Sequence, residues 1–159
     1  MRFAMDHIDA KILNILQKNA RTPLKVIAEQ VYLSSPAVAA RINRLEHEGI
    51  IRGYQAEINW LKLGFHITAF INLEVEPNQK SEFYPFIKSC PNVIECNCVT
   101  GHYAMMLKVC FPSTMELDTF IGQIQQFGRT STQIVFSTAV DHRGIQDYGI
   151  EGSVINSSN

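Results

Sequence analysis

The chain has no apolar run long enough to cross a bilayer. Its opening, MRFAMDHIDAKILNIL, has no unbroken hydrophobic stretch and no small-residue cleavage site, so it lacks the pattern of a secretory signal. The expected compartment is the cytoplasm, with no membrane partner. Cysteine is sparse: Cys90, Cys96, Cys98 and Cys110 include no CxxC pair and fit no common zinc spacing. Cys96 and Cys98 stand two apart in a β-like run and share a sheet face, and buried reduced thiols are the expectation. His7, His47, His66 and His142 show no ligand spacing either, so no metal site is expected. There is no nucleophile elbow, phosphate loop or paired-carboxylate constellation. An enzyme is not the first reading, and no cofactor is expected. Internal repeats and low-complexity segments are also absent.

What is present is 159 residues, 46% hydrophobic and 18% charged, enough for one ordinary domain or two small ones. The net charge of −1 hides an asymmetry. Through Lys62 there are 9 lysines and arginines against 6 carboxylates; from Leu63 onward there are 5 against 9. Only the first third is suited to an anionic partner.

Helical periodicity marks Asp6 to about Asn19, with Asp6 as N-cap and Asp9 in the first turn. NARTP breaks it, and a short helix fits Leu24 to Val31. YLSS is a tight connection to a third helix from about Ser35 to Glu48, which Gly49 ends. IIRGYQAEIN then reads as a weak strand over 51–58, inside a linker that runs to Gly64. Beyond it the composition turns β-branched and apolar. HITAFINLEVE, NVIECNCVT, AMMLKVCF and TSTQIVFSTAV read as strands, and helices fit about Gln79–Ser89 and the segment from Ser113. Ser113 and Glu116 have capping-box spacing, and Pro85 predicts a kink or late start in the earlier helix. The order βαββαβ is ferredoxin-like. The expected organisation is therefore α+β. A winged-helix-like helix-turn-helix domain spans 1–50, with the motif over 24–43. A β linker follows over 51–64, then a ferredoxin-like domain over 65–140 and a fraying tail over 141–159.

The third helix carries a candidate site. Val38, Ile42 and Leu45 form a core-facing stripe. The neighbouring face holds Ala37, Ala40, Arg41 and Arg44. Small side chains let the N-terminal end of a helix approach the bases of a major groove, while long cations reach base edges or phosphates. Ser34 or Ser35 caps this helix, whose free N–H groups suit a phosphate. The expected DNA-facing set is Ser34, Ser35, Pro36, Ala37, Ala40, Arg41 and Arg44. Arg41 is placed on a guanine and Arg44 on a phosphate, with an intra-domain salt bridge as the alternative for Arg44.

The ordered run Asp6, Asp9, Ile12, Leu13, Leu16, Gln17, Arg21 resembles the opening of the Lrp/AsnC family of transcription regulators. So does the second run: Leu33, Ser34, Val38, Arg41, Ile42, Arg44, Leu45, Glu46, Gly49, Ile50, Ile51, Gly53 and Tyr54. NVIECNCVTGHYAMMLKV resembles the strand, glycine loop and returning strand of that family's effector domain. The resemblance covers about residues 5–140. It implies double-stranded DNA as partner, homodimers formed by sheet pairing that join into octamers, and an amino acid or related metabolite as effector. The effector-binding set it implies is Thr100, Gly101, His102 and Tyr103. Two departures stand out. The loop Thr100–Ala104 lacks the family's usual carboxylate, so an ammonium group loses its expected counter-charge. QQFGRTSTQIVFS lacks the usual L-P-G-V. The competing reading is a siroheme-decarboxylase-like enzyme on the same fold, with His102, Tyr103 and Arg129 around a tetrapyrrole.

Overall fold

The computed structural model describes residues 5–145 and Tyr148. The chain divides into two compact units. One comprises Met1–Glu57 with Asp141–Asn159, the other Ile58–Val140.

The first unit holds α1 (His7–Lys18), α2 (Leu24–Val31) and α3 (Ser35–His47). A full capping box starts α1: the Asp6 carboxylate accepts from Asp9 N–H at 2.8 Å, and Asp9 accepts from Asp6 N–H at 3.2 Å. Ser34 caps α3 by accepting from Ala37 N–H at 3.4 Å. Gly49, at φ +70°, takes the left-handed C′ position that ends α3, and Ile50 N–H donates back to Leu45 C=O at 2.9 Å. Ile12, Ile15, Ile27, Ala28, Val31, Val38 and Ile42 interlock as the core. No strand follows α3 among the described residues of this unit, so it is a three-helix unit without a wing. Residues 52–59 carry no ladder, correcting the strand expected over 51–58. A lone extended segment has no neighbour to pair with inside one chain. The tail expectation over 141–159 falls mostly outside the described residues. Of those described, Ile145 C=O accepts from the Gln17 side-chain amide at 3.3 Å, and the Tyr148 hydroxyl pairs with the same amide.

In the second unit, a single-turn 3₁₀ helix (Trp60–Leu63) precedes β1 (Ile67–Leu73), α4 (Lys80–Ser89), β2 (Val93–Cys98), β3 (Met105–Phe111), α5 (Thr114–Ile124) and β4 (Thr130–Ile134). The four strands form one antiparallel sheet in the order β2-β3-β1-β4. Alternate residues of β1 and β3 (Ala69, Ile71, Leu73, Leu107, Val109) turn to one face. There they pack with Phe83 and Ile87 of α4 and with Leu117, Phe120 and Ile124 of α5. Pro85 lies within α4 without ending it. The capping box predicted for α5 is present: Ser113 Oγ accepts from Glu116 N–H, and the Glu116 carboxylate accepts from Ser113 N–H. The last strand is shorter than TSTQIVFSTAV suggests. Its final bond runs from Val135 N–H to Thr68 C=O, and β1 begins at Ile67, so the partner edge runs out. The thiol expectation holds only in part. Cys110 is buried, Cys90 and Cys96 are half-buried and Cys98 is exposed. Cys98 sits at the end of edge strand β2, where nothing further covers it.

Candidate nucleic-acid interface and effector loop

Val38, Ile42 and Leu45 are buried, so the opposite face of α3 points outward. Four residues at spacings of four, three and four occupy it: Pro36, Ala40, Asn43 and His47, all exposed. Ser34 is also exposed at the cap, while Ser35 and Ala37 are half-buried on the flanks.

The two arginines are not part of this open stripe. Arg41 Nη1 donates to Asp6 Oδ2 at 2.7 Å and to Asp9 Oδ1 at 2.8 Å. Arg44 Nη2 donates to Asp9 Oδ2 at 2.6 Å. Asp9 is 0% exposed, against 26% for the Arg41 side chain and 46% for Arg44. The pair thus ties α3 to the first turn of α1, with the intra-domain salt bridge expected as the alternative for Arg44 formed to Asp9. The physical reason is that a buried carboxylate at a helix N-terminus needs cationic partners, and α3 presents two at that height. Burial pushes the Asp6 carboxyl up, but bonds from Asp9 N–H and Arg41, with the Arg41 charge, outweigh it and leave the pKa below its ordinary value. The Asp6 bond, opposed by burial and aided by Asp9, raises that of Arg41. At the far end of α3, Tyr54 donates to Glu46 Oε1 at 2.7 Å. Burial and then the Glu46 carboxylate push the Tyr54 phenol up to about 12.

Local reasoning missed Asn43 and His47. Extending the core stripe through half a turn points to both. An asparagine on such a face has the donor and acceptor needed for the major-groove edge of adenine.

In the second unit, Val99 N–H donates to Ala104 C=O at 2.9 Å and closes the loop that holds Thr100, Gly101, His102 and Tyr103. Gly101 has φ +112°, which favours glycine. The His102 and Tyr103 rings meet edge to face, 5.0 Å between centroids. The loop has no carboxylate of its own, but the fold supplies one. Glu74, just past β1, places Oε1 2.5 Å from His102 Nε2. Glu74 N–H donates to Arg129 C=O at 2.9 Å. Gly128 leaves room for this approach, since a Cβ there would lie 1.7 Å from the Glu74 carbonyl oxygen. Glu74 is invisible to local reading because it is distant in sequence. Among the described residues no group of three or more His, Cys, Asp or Glu side chains is placed to hold a metal ion.

A capped three-helix head joined to a ferredoxin-like α+β unit defines a two-domain helix-turn-helix regulator. The AsnC-type helix-turn-helix domain matches residues 5–46, and the Lrp/AsnC ligand binding domain matches residues 68–145. The chain is 38% identical to the Bacillus subtilis regulator YezC, covering 87% of this chain and 98% of that one. It is 37% identical to the HTH-type transcriptional regulator LrpA of B. subtilis, covering 82% and 97%. Among solved structures, B. subtilis LrpC superposes with a TM-score of 0.82 at 27% identity, covering 89% of this chain and 100% of that chain. A Neisseria meningitidis regulator in complex with L-Met shares the fold, with a TM-score of 0.82 at 24% identity, covering 88% and 94%. The chain belongs to the Lrp/AsnC family of HTH-type transcriptional regulators. It is a DNA-binding transcriptional regulator and not an enzyme, and the decarboxylase alternative finds no support among its relatives.

Proposed function

We propose that α3 enters the major groove through Ser34, Pro36, Ala37, Ala40, Asn43 and His47, with Ser35 and the helix N-terminus toward a phosphate. Arg41 holds the helix in place, and Arg44 flanks the groove while anchored to Asp9. The observation that carries this reading is the exposed Pro36–Ala40–Asn43–His47 stripe directly opposite the buried one. The extended segment 52–59 pairs with the same segment of a second copy, which satisfies its backbone and covers exposed Ile58. The resulting homodimers join into octamers. The second unit senses an amino acid or related metabolite at Thr100, Gly101, His102 and Tyr103, with Glu74 providing the counter-charge that the loop lacks. The Neisseria relative with bound L-Met supports this ligand class. No helix among the described residues is long and apolar enough to cross a membrane, and the setting proposed is the cytoplasm.

The test is selection of bound fragments from the source genome, followed by gel shift with and without each of the twenty amino acids. Ala40→Glu keeps helix propensity and adds a charge only where phosphates would lie. We expect it to lower operator affinity at least hundredfold with the fold intact. Unchanged affinity removes α3 from the interface. Absence of heat with every amino acid in calorimetric titration removes the effector class.

A further inference from the structure

The turn between α2 and α3 contains the only non-glycine residue with positive φ among the described residues: Tyr32, at φ +58°, ψ +43°. A left-handed conformation costs an L-residue roughly five- to thirtyfold in the folding equilibrium relative to glycine. Elsewhere the described residues avoid that cost: Gly49, Gly53, Gly64, Gly101 and Gly128 occupy the other positive-φ positions among them.

The fold recovers nothing visible from the Tyr32 side chain. It is 91% exposed. Among the described residues its ring meets no other ring and its hydroxyl has no hydrogen-bond partner. Its backbone N–H closes α2 by donating to Ala28 C=O, which glycine would do equally well. The neighbours do the packing: Val31 is buried and Leu33 packs against the core. Strain kept at one position without a return inside the fold points to a return outside it.

Its location indicates what lies outside. Tyr32 stands two residues before Ser34, the cap of α3. A helix that presents its N-terminal end to a major groove brings the preceding turn beside the sugar–phosphate strand bordering that groove. A tyrosine suits that strand: the hydroxyl donates to a phosphate oxygen and the ring covers a deoxyribose. We propose that Tyr32 is a DNA-backbone contact, recognising the phosphodiester strand independently of sequence. The proposal rests on α3 being the reading helix.

Tyr32→Gly, Tyr32→Phe and Ala40→Glu are compared in the full chain, by urea unfolding and by titration against a genome-selected fragment and a random-sequence duplex. Tyr32→Gly should hold or raise the folding equilibrium, by up to about tenfold, because relief of the left-handed strain offsets the greater unfolded-state freedom of glycine. It should weaken both duplexes alike, by about fivefold or more, with the ratio between them unchanged. The slope of log affinity against log salt should also stay unchanged, because the lost contact is neutral and releases no counterion. Tyr32→Phe should lose part of the affinity with stability unaltered. Tyr32→Gly with full affinity overturns the proposal, as does a less stable Tyr32→Gly, which would show that the ring packs. Full affinity with an altered molar mass would place the ring in a subunit contact and also overturns it. Ala40→Glu separates the two readings: if it binds normally, the reading helix itself is misassigned. If it fails to bind while Tyr32→Gly binds fully, only the Tyr32 contact falls.

Discussion

Replacing Arg41 by alanine distinguishes a brace from a base contact. Arg41 serves two carboxylates with one nitrogen, at 2.7 and 2.8 Å. Charge-assisted hydrogen bonds contribute about 1.5–3 kcal/mol each when shielded. Asp6 is 47% exposed, so its share is discounted to at most ~0.5 kcal/mol for solvent screening. Asp9, at 0% exposed, cannot turn to water, and its share stays near ~1.5–2 kcal/mol. Arg44 remains on Asp9 at 2.6 Å, so the buried carboxylate is not stranded and the larger penalty for an unpaired buried charge does not arise. The expected loss is therefore about 2 kcal/mol. For a unit of this size that lowers the midpoint by roughly 8–16 °C. Far-UV circular dichroism follows the helical head. The fluorescence of Trp60, which belongs to the other unit, serves as an internal control that should not move. Arg41→Lys keeps the charge without the planar fork and should lose about half as much. Well below the midpoint, operator affinity should fall no more than about tenfold. Stability within ~0.5 kcal/mol of the parent, combined with a hundredfold loss of affinity, refutes the brace and returns Arg41 to the DNA.

Three further outcomes follow from the same geometry. The folded-state pKa of Asp6 lies below its unfolded value, so its contribution is complete above about pH 4, the ordinary Asp range, and disappears as pH falls through the lower folded value. Acid unfolding followed by circular dichroism should therefore lose head stability only below about pH 4, and Asp6→Asn should flatten that limb. Tyr54 has a raised pKa, so its bond to Glu46 is complete below about pH 10 and is lost as pH rises through about 12. Ultraviolet difference titration of wild type against Tyr54→Phe should show one phenol titrating at about 12. Gly128→Ala places a Cβ against the Glu74 backbone at a φ of +150°, and unfolding of the second unit should cost about 2–4 kcal/mol less than in the parent. A neutral result there shows that the β1 end can shift.

What was legible in the sequence was whatever one segment decides alone. Asp6 announces its N-cap and Ser113 with Glu116 a capping box, and the βαββαβ order follows from where periodicity switches. The core stripe of α3 was equally plain. Its outward face was not, because the choice between Arg41 and Asn43 depends on carboxylates contributed by another helix. Arginine at helical spacing looks the same whether it awaits a phosphate or already holds Asp9. Glu74 was missed for the same reason: the sheet, not the loop, brings it to His102. Alternation over 51–58 predicts a strand, which describes the segment's shape; a ladder also needs a neighbour.

With Arg41 and Arg44 tied to α1, the positive balance of the head must act through other cations. Lys18, Arg21, Lys25 and Arg52 are exposed, and no ion pair among the described residues engages them. Each phosphate neutralised on duplex DNA contributes about −0.9 to the slope of log affinity against log salt. If all four reach phosphates, one head gives about −3.6 and a pair of heads about −7. These are ceilings, because four cations distributed over two helices, the turn between them and the linker do not all face one duplex. If both arginines leave the brace for the DNA, the paired-head ceiling rises to about −11. Affinity for a single operator-length duplex, measured across salt concentrations, discriminates directly. A slope unchanged by Arg41→Gln and by Arg44→Gln keeps the arginines on Asp6 and Asp9 in the complex. A slope steeper than about −7, made shallower by about 1.8 in Arg44→Gln, shows that binding opens the brace. The acidic pair on α1 would then be a competitor that DNA displaces rather than a fixed support.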